Sequence, residues 1–375
     1  MALIEASVDG RCRPRRRYRR EHPRPMAVTA RDAAVIHRVF LTRFCPAQST
    51  FLFAREAEPE GGSDNWSKRL RALYDTGWLT RLYLPQSHYL AGSQWPIYCV
   101  ESGVAAHAAS LRRPWASIDR SERARIVAET VPIRAQVTRL LVGEFGLSDE
   151  VVISGLRATT QNALKLYSGL PCHVPHVLLG STFASIVWYG LARLGVPVRG
   201  IRPDGAVDLN AVAGDELGGA VLPDLFFVAG TTAFCIEAET GTSSRAKIQA
   251  KVRRYLAFAR GTGLARLALT LGRELLRFRV LFHCGRAAHL RMIAAIIAAE
   301  APEGTAVFLL SDAATFHLEY PQLHFKRNLR LDDTAESPRL YDAVASLASR
   351  AVLGQVEGMR EGRVEIGYVA LTDAL

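Results

Sequence analysis

Apolar residues first recur at helical spacing behind Thr29, a good N-cap residue. From Ala30 to about Arg43, Val35, Ile36, Val39 and Phe40 fall on one face. A shorter helix is expected from Ala47 to Phe53. After a Gly- and Pro-containing loop, Glu58 to Gly62, Ser63 or Asp64 caps a third helix running from Asn65 through Tyr74. Its buried stripe is Trp66, Leu70 and Leu73, and Ser67, Lys68 and Arg71 face the other way. Gly77 closes it. Two short strands follow, Trp78 to Leu84 and Trp95 to Val100, around a polar loop from Pro85 to Gln94 that holds His88 and Gly92. Residues 113–170 return to helical spacing. A long amphipathic stretch runs from Ile118 to about Glu144, then shorter ones cover Leu147 to Gly155 and Ala158 to Tyr167.

From Pro171 the pattern mixes the two periods. A strongly apolar helix, His173 to Leu194, precedes a strand from Val196 to Ile201. Two stretches of β-formers, Leu222 to Val228 and Ala233 to Glu239, flank a break at Ala229-Gly230-Thr231-Thr232 that reads as a tight turn. A helix from about Ser244 to Ala259, capped by Thr242 or Ser243, buries Ile248, Val252, Tyr255 and Leu256. The strand Phe278 to Cys284, the helix Ala287 to Ala299 and the strand Thr305 to Ser311 complete the pattern. Leu340 to Val352 reads as helical.

The hairpin concentrates charge. A two-residue loop at Gly230-Thr231 puts Asp224 opposite Glu237, and strand alternation puts Glu239 on the face of Glu237. Directly opposed like charges destabilise a sheet. Three converging acids suggest a hard divalent cation, Mg²⁺ or Mn²⁺, which takes oxygen ligands. A splayed, solvated acidic edge is the alternative. His173 and His176, at the start of the preceding helix, could approach this face, or simply pack. His283 reads as a satisfied core residue and Tyr255 as core packing.

Composition narrows the class. The chain has 375 residues, 49% apolar and 22% charged, which suits a globular protein of more than one domain. Its net charge of +11 favours an anionic partner, double-stranded DNA first. Residues 1–25 hold eight Arg and three acids, so they carry +5 of that charge. They read either as a disordered basic arm on nucleic acid or as a mis-assigned start with Met26 as initiator. Six scattered cysteines without a CxxC pair exclude a zinc ribbon and a disulfide framework. No signal-peptide core, bilayer-length apolar run or phosphate-binding P-loop is recognisable. The expectation is a cytoplasmic protein with no membrane partner.

The ordered set Pro223-Asp224, Glu237-Ala238-Glu239-Thr240-Gly241-Thr242, then Lys247, Lys251 and Tyr255, resembles the PD-(D/E)XK nuclease-like superfamily. With three helices and a β-ribbon ahead of it, the chain more closely resembles the replication-relaxation family of bacterial and plasmid proteins. One departure matters: Glu239 stands where the superfamily motif has lysine, and Lys247 or Lys251 would have to replace it. The resemblance covers roughly residues 28–110 and 171–285. It implies a role in plasmid replication or DNA relaxation.

The expected architecture is α/β (α+β overall). It comprises a basic arm or spurious start (1–25), a winged helix-turn-helix (26–112), a helical connector (113–170), a restriction-endonuclease-like mixed sheet flanked by helices (171–325), and a C-terminal extension (326–375). Asn65, Ser67, Lys68, Arg69 and Arg71 would touch DNA, since the third helix of a winged helix enters the major groove. Asp224, Glu237 and Glu239 would hold metal, with Lys247 or Lys251 completing a catalytic set. Two functions fit: a metal-dependent DNA endonuclease or nickase, or a non-catalytic replication or transcription regulator on a degenerate nuclease fold. A homodimer or a replication protein would be its protein partner.

Overall fold

A computed structural model describes residues 25–58, 66–83, 96–101, 103–104, 117–167, 174–203, 206–312, 352–360 and 363–370. Expectations for the basic arm, Asn65, the loop 85–94, His173 and the helix ending at Val352 therefore lie outside the described residues. Two compact units emerge: residues to Ala47 with Asn65–Val174, and Gln48–Asp64 with Pro175 onward.

In the first unit, α1 (Ala30–Thr42) begins at Thr29 with a reciprocal capping box. The Asp32 backbone N–H donates to the Thr29 hydroxyl, and the Thr29 N–H donates to the Asp32 carboxylate at 2.8 Å. A three-residue strand follows, β1 (Phe44–Pro46), which is too short for alternation to reveal. Helix α3 (Trp66–Asp75) buries Trp66, Leu70 and Leu73 as its spacing requires. Strands β2 (Thr80–Tyr83) and β3 (Pro96–Cys99) complete an antiparallel sheet of order β1-β3-β2.

The helical stretch expected to be a connector packs within this unit. Asp119 caps α4 (Arg120–Phe145), and Gly146, at φ 64°, ends it. Helix α5 (Asp149–Tyr167) is continuous where two short helices were expected. Its Gly155 lies under Phe40 of α1, where a Cβ would stand 2.6 Å from the ring. Glu101 is buried and accepts hydrogen bonds from Thr80 (2.9 Å) and Thr160 (3.3 Å).

The second unit is built on a seven-stranded mixed sheet. Its strands are β4 (Val198–Pro203), β5 (Leu225–Ala229), β6 (Thr232–Glu239), β7 (Arg277–Cys284), β8 (Phe308–Asp312), β9 (Val352–Arg360) and β10 (Arg363–Ala370). Their spatial order is β10-β9-β8-β7-β6-β5-β4, with β6, β7 and β8 mutually parallel and the other pairs antiparallel. The hairpin register is the expected one: Ala229 faces Thr232 and Leu225 faces Ile236 across a Gly230-Thr231 loop. Gly230 takes φ 58° there, a left-handed conformation that favours glycine. Strands β9 and β10 were not expected; they extend the sheet with residues assigned from sequence to a C-terminal extension.

Each sheet face has its own cover. On one side Phe226, Val228, Ala233, Cys235, Val280 and Phe282 form a core with α8 (Arg245–Arg260), α9 (Gly263–Leu271) and α10 (Ala287–Glu300). Ser244 is the observed cap of α8. A short α7 (Leu209–Val212) precedes β5. On the other side lies α6 (Val174–Arg193), with Trp188 edge-on to Phe227 at 6.0 Å and Phe183 stacked on His283 at 4.3 Å. Helix α2 (Ala47–Ala57) joins this unit from Gln48 on, and its Phe53 meets Trp188 at 5.8 Å. By length and composition α6 could cross a membrane, with mean hydropathy 1.3. It is 67% buried, as a helix covering a sheet is.

Candidate functional site

Parallel strands end on the same edge of a sheet, and ligand sites favour the carboxyl ends of such strands. Here Glu239, Cys284 and Asp312 are register neighbours at the ends of β6, β7 and β8. Glu237 lies two residues back on the same face of β6. Because β5 runs antiparallel, Asp224, just before it, reaches this same edge. The hairpin thus brings the three sequence-predicted acids together.

Their partners explain how such charge is tolerated. Glu237 is fully buried. Lys251, two turns into α8, donates to its Oε2 at 2.6 Å, and the Tyr255 hydroxyl, one turn later, donates to its Oε1. The Lys251 ammonium also lies 3.6 Å from Glu239 Oε1. Asp224 is held differently: its Oδ2 accepts the Ala238 backbone N–H at 2.8 Å, and its Oδ1 lies 3.0 Å from His176 Nε2. Sequence reasoning offered Lys247 and Lys251 equally. The structure leaves Lys247 exposed on the first turn of α8 and brings Lys251 into the cluster.

Burial sets the proton balance. It lifts the Glu237 carboxyl to about 7, against the opposing pull of Lys251. Burial works against the Lys251 ammonium too, but Glu237 and then Asp224 outweigh it and hold the group protonated above the ordinary lysine range. The hydrogen bond that His176 donates to the Asp224 carboxylate raises the imidazole pKa, more than burial lowers it. Burial, then Glu237, pushes the Tyr255 phenol well above its usual range, so it is a hydrogen-bond donor rather than a nucleophile. Cys284 is pushed up to about 12 by burial, then by Glu239 and Asp312, and stays a thiol. His283 donates to or accepts from Ser311 at 2.8 Å and is satisfied in the core, as expected.

The donor types suit a hard divalent cation. As they stand, no three His, Cys, Asp or Glu side chains among the described residues form a metal-holding group. Asp224 is engaged by His176 and Ala238, and Glu237 by Lys251 and Tyr255. Lys251 acts as the internal counter-cation. One buried nitrogen beside the cluster has no hydrogen bond, His289 Nε2 in the first turn of α10, 3.8 Å from Glu239 Oε2. Sequence reading missed His289, because nothing local marks a histidine that only a parallel crossover brings back to β6.

The expected DNA-contact residues divide. Asn65 is outside the described residues, and of Ser67 only the backbone is described. Lys68 is exposed. The Arg69 guanidinium instead clamps Asp32, with Nε 2.9 Å from Oδ1, and reaches the Ala27 carbonyl at 2.7 Å. Burial alone would raise Asp32, yet hydrogen bonds from Arg69 and Thr29 hold it below the usual carboxylate range. Arg71 donates to Asp75 at 2.9 Å and lies over the Tyr74 ring. Arg69 thus ties α3 to α1, a structural duty that the basic pattern of the helix concealed.

No family model, curated protein or solved structure matches this chain.

Proposed function

We propose that this chain is a DNA-binding protein of the plasmid replication or DNA relaxation type, acting in the cytoplasm. In this reading its second unit is a metal-dependent endonuclease or nickase of restriction-endonuclease-like fold. The observation that carries the reading is the gathering of Asp224, Glu237, Glu239 and Lys251 at the carboxyl end of β6. The first unit supports it. Its helices α1 and α3 beside a small antiparallel sheet of order β1-β3-β2 are compatible with a winged helix, and Lys68 lies exposed on α3.

Asp224, Glu237 and Glu239 would hold Mg²⁺ or Mn²⁺, which when bound supplies water activation and charge neutralisation for phosphodiester hydrolysis. The protein's own groups do the rest. Tyr255 fixes one oxygen of Glu237, and His176 with the Ala238 amide fixes Asp224, so both carboxylates are oriented in advance. Lys251 is the one ammonium in contact with this cluster among the described residues. It would orient the attacking water or meet the charge that develops on phosphate.

The test is nicking of supercoiled plasmid with Mg²⁺ or Mn²⁺ by wild type, Asp224→Ala and Lys251→Met. Cleavage by wild type, lost in both variants, is the expected result. A second reading, a DNA-binding regulator that does not cut, is favoured by the pairing of both Glu237 oxygens with protein donors. DNA binding by wild type without nicking under either ion would decide for it.

A further inference from the structure

We infer that His289 supplies a nitrogen ligand to the cation held at the acidic cluster, which makes this a site for a first-row transition ion such as Mn²⁺ in preference to Mg²⁺. The inference rests on the proposed reading of the acids as a cation site.

Four observations carry it. The Gly285 N–H donates to the Glu239 carbonyl at 2.8 Å, which fastens the start of the β7–α10 connection to the end of β6. The first turn of α10 is thereby held against Glu239. The His289 side chain is 10% exposed and the Glu239 side chain 4%. His289 Nε2 has no hydrogen-bond partner, although buried polar atoms are rarely left without one. Finally, Nε2 lies 3.8 Å from Glu239 Oε2. That gap is too long for a hydrogen bond, which would close to about 3 Å. Two ligand atoms each about 2.1 Å from one ion stand about 3 to 4 Å apart, depending on the angle between them. The gap is therefore the size a shared cation requires.

The chemistry sets the preference. Carboxylates alone suit Mg²⁺ and Mn²⁺ alike, whereas imidazole is a ligand for the first-row transition ions and adds little for Mg²⁺. Mixed carboxylate and imidazole donors therefore favour Mn²⁺.

The experiment uses the full chain. Mn²⁺ and Mg²⁺ binding are measured by calorimetry on wild type, His289→Ala, His289→Gln and Glu237→Gln. Pulsed electron paramagnetic resonance of bound Mn²⁺ reads nitrogen coordination directly. Nitrogen modulation is expected in wild type and should vanish in both His289 variants. Their Mn²⁺ affinity should fall at least about tenfold with Mg²⁺ affinity unchanged. Circular dichroism confirms that each variant is folded, and the glutamine variant retains a polar side chain should alanine not fold. Mn²⁺ bound by wild type without nitrogen modulation overturns the inference and leaves the acidic cation site standing. So does modulation that survives both His289 variants, which would assign the nitrogen to His176. Failure of wild type to bind either ion overturns the cation-site reading itself, and this inference with it.

Discussion

Replacing Glu237 by Gln removes a charge at nearly constant volume from a fully buried position, and the structure says how the result must depend on pH. Burial raises this carboxyl from 4.5 to about 7 in the folded protein. Between those two values the unfolded chain has already lost the proton that the folded chain keeps. Stability therefore falls as pH rises through that window, because ionising Glu237 in place is unfavourable even with Lys251 beside it. A displacement of about 2.5 units corresponds to about 3 kcal/mol, using about 1.36 kcal/mol per unit. The glutamine does not titrate, so this loss disappears. It should accept from Tyr255 much as the protonated acid does. Below pH 4.5 the variant should thus lie within about 1 kcal/mol of wild type, on the unstable side through its poorer match to Lys251. As pH rises past 7, it should gain on wild type by about 3 kcal/mol. Urea unfolding of both proteins in steps from pH 4 to pH 8 gives the difference directly, and the other carboxylates cancel in it. A difference that does not change with pH, or one in which wild type gains on the variant, would refute the reasoning. It would mean that attraction to Lys251 outweighs burial and that Glu237 ionises as an ordinary acid.

Four further outcomes are expected. Asp224→Asn should lower the titration midpoint of His176 toward 6.5, as read from its imidazole NMR signals, since Asp224 is what raises it. The stability that this pair contributes is present below pH 6.5 and lost as pH climbs through the raised value, so Asp224→Asn should cost most on the acid side. On α3, Lys68→Ala should weaken duplex binding and lower its salt slope by about one. Arg69→Met should instead destabilise the first unit by about 3 kcal/mol, because the Asp32 carboxylate, 0% exposed, loses its cation. Gly155→Ala should cost about 1–3 kcal/mol in denaturant unfolding, because its new methyl group meets the Phe40 ring at 2.6 Å; equal stability would show that Phe40 moves aside freely.

The sequence by itself determined the local structure and the meeting of the acids. Helical and strand periods located α1, α3, α6, α8, α10 and the strands β5, β6 and β7 to within a few residues, because each has a long apolar stripe or a continuous run of β-formers. The Gly230-Thr231 turn determined the hairpin register, and with it the approach of Asp224 to Glu237 and Glu239, since in a tight hairpin pairing follows from loop length alone. What lies far apart in the chain was decided only by the tertiary structure. Strand β1 is three residues long and exists through its pairing with β3. Strands β9 and β10 belong to the sheet through the contact of β9 with β8. Lys247 and Lys251 share a face of α8 one turn apart, so the choice of Lys251 depends on which turn of the helix lies over Glu237, and the packing of Ile248, Val252 and Tyr255 against the sheet settles that. Arg69 looked like a DNA contact until α1 brought Asp32 beside it. His176 and His289 reach the acids from helices on opposite faces of the sheet. Repulsion among three acids is a local inference. Its neutralisation by Lys251 and His176 is a property of packing, because only the folded chain brings those cations within hydrogen-bonding distance.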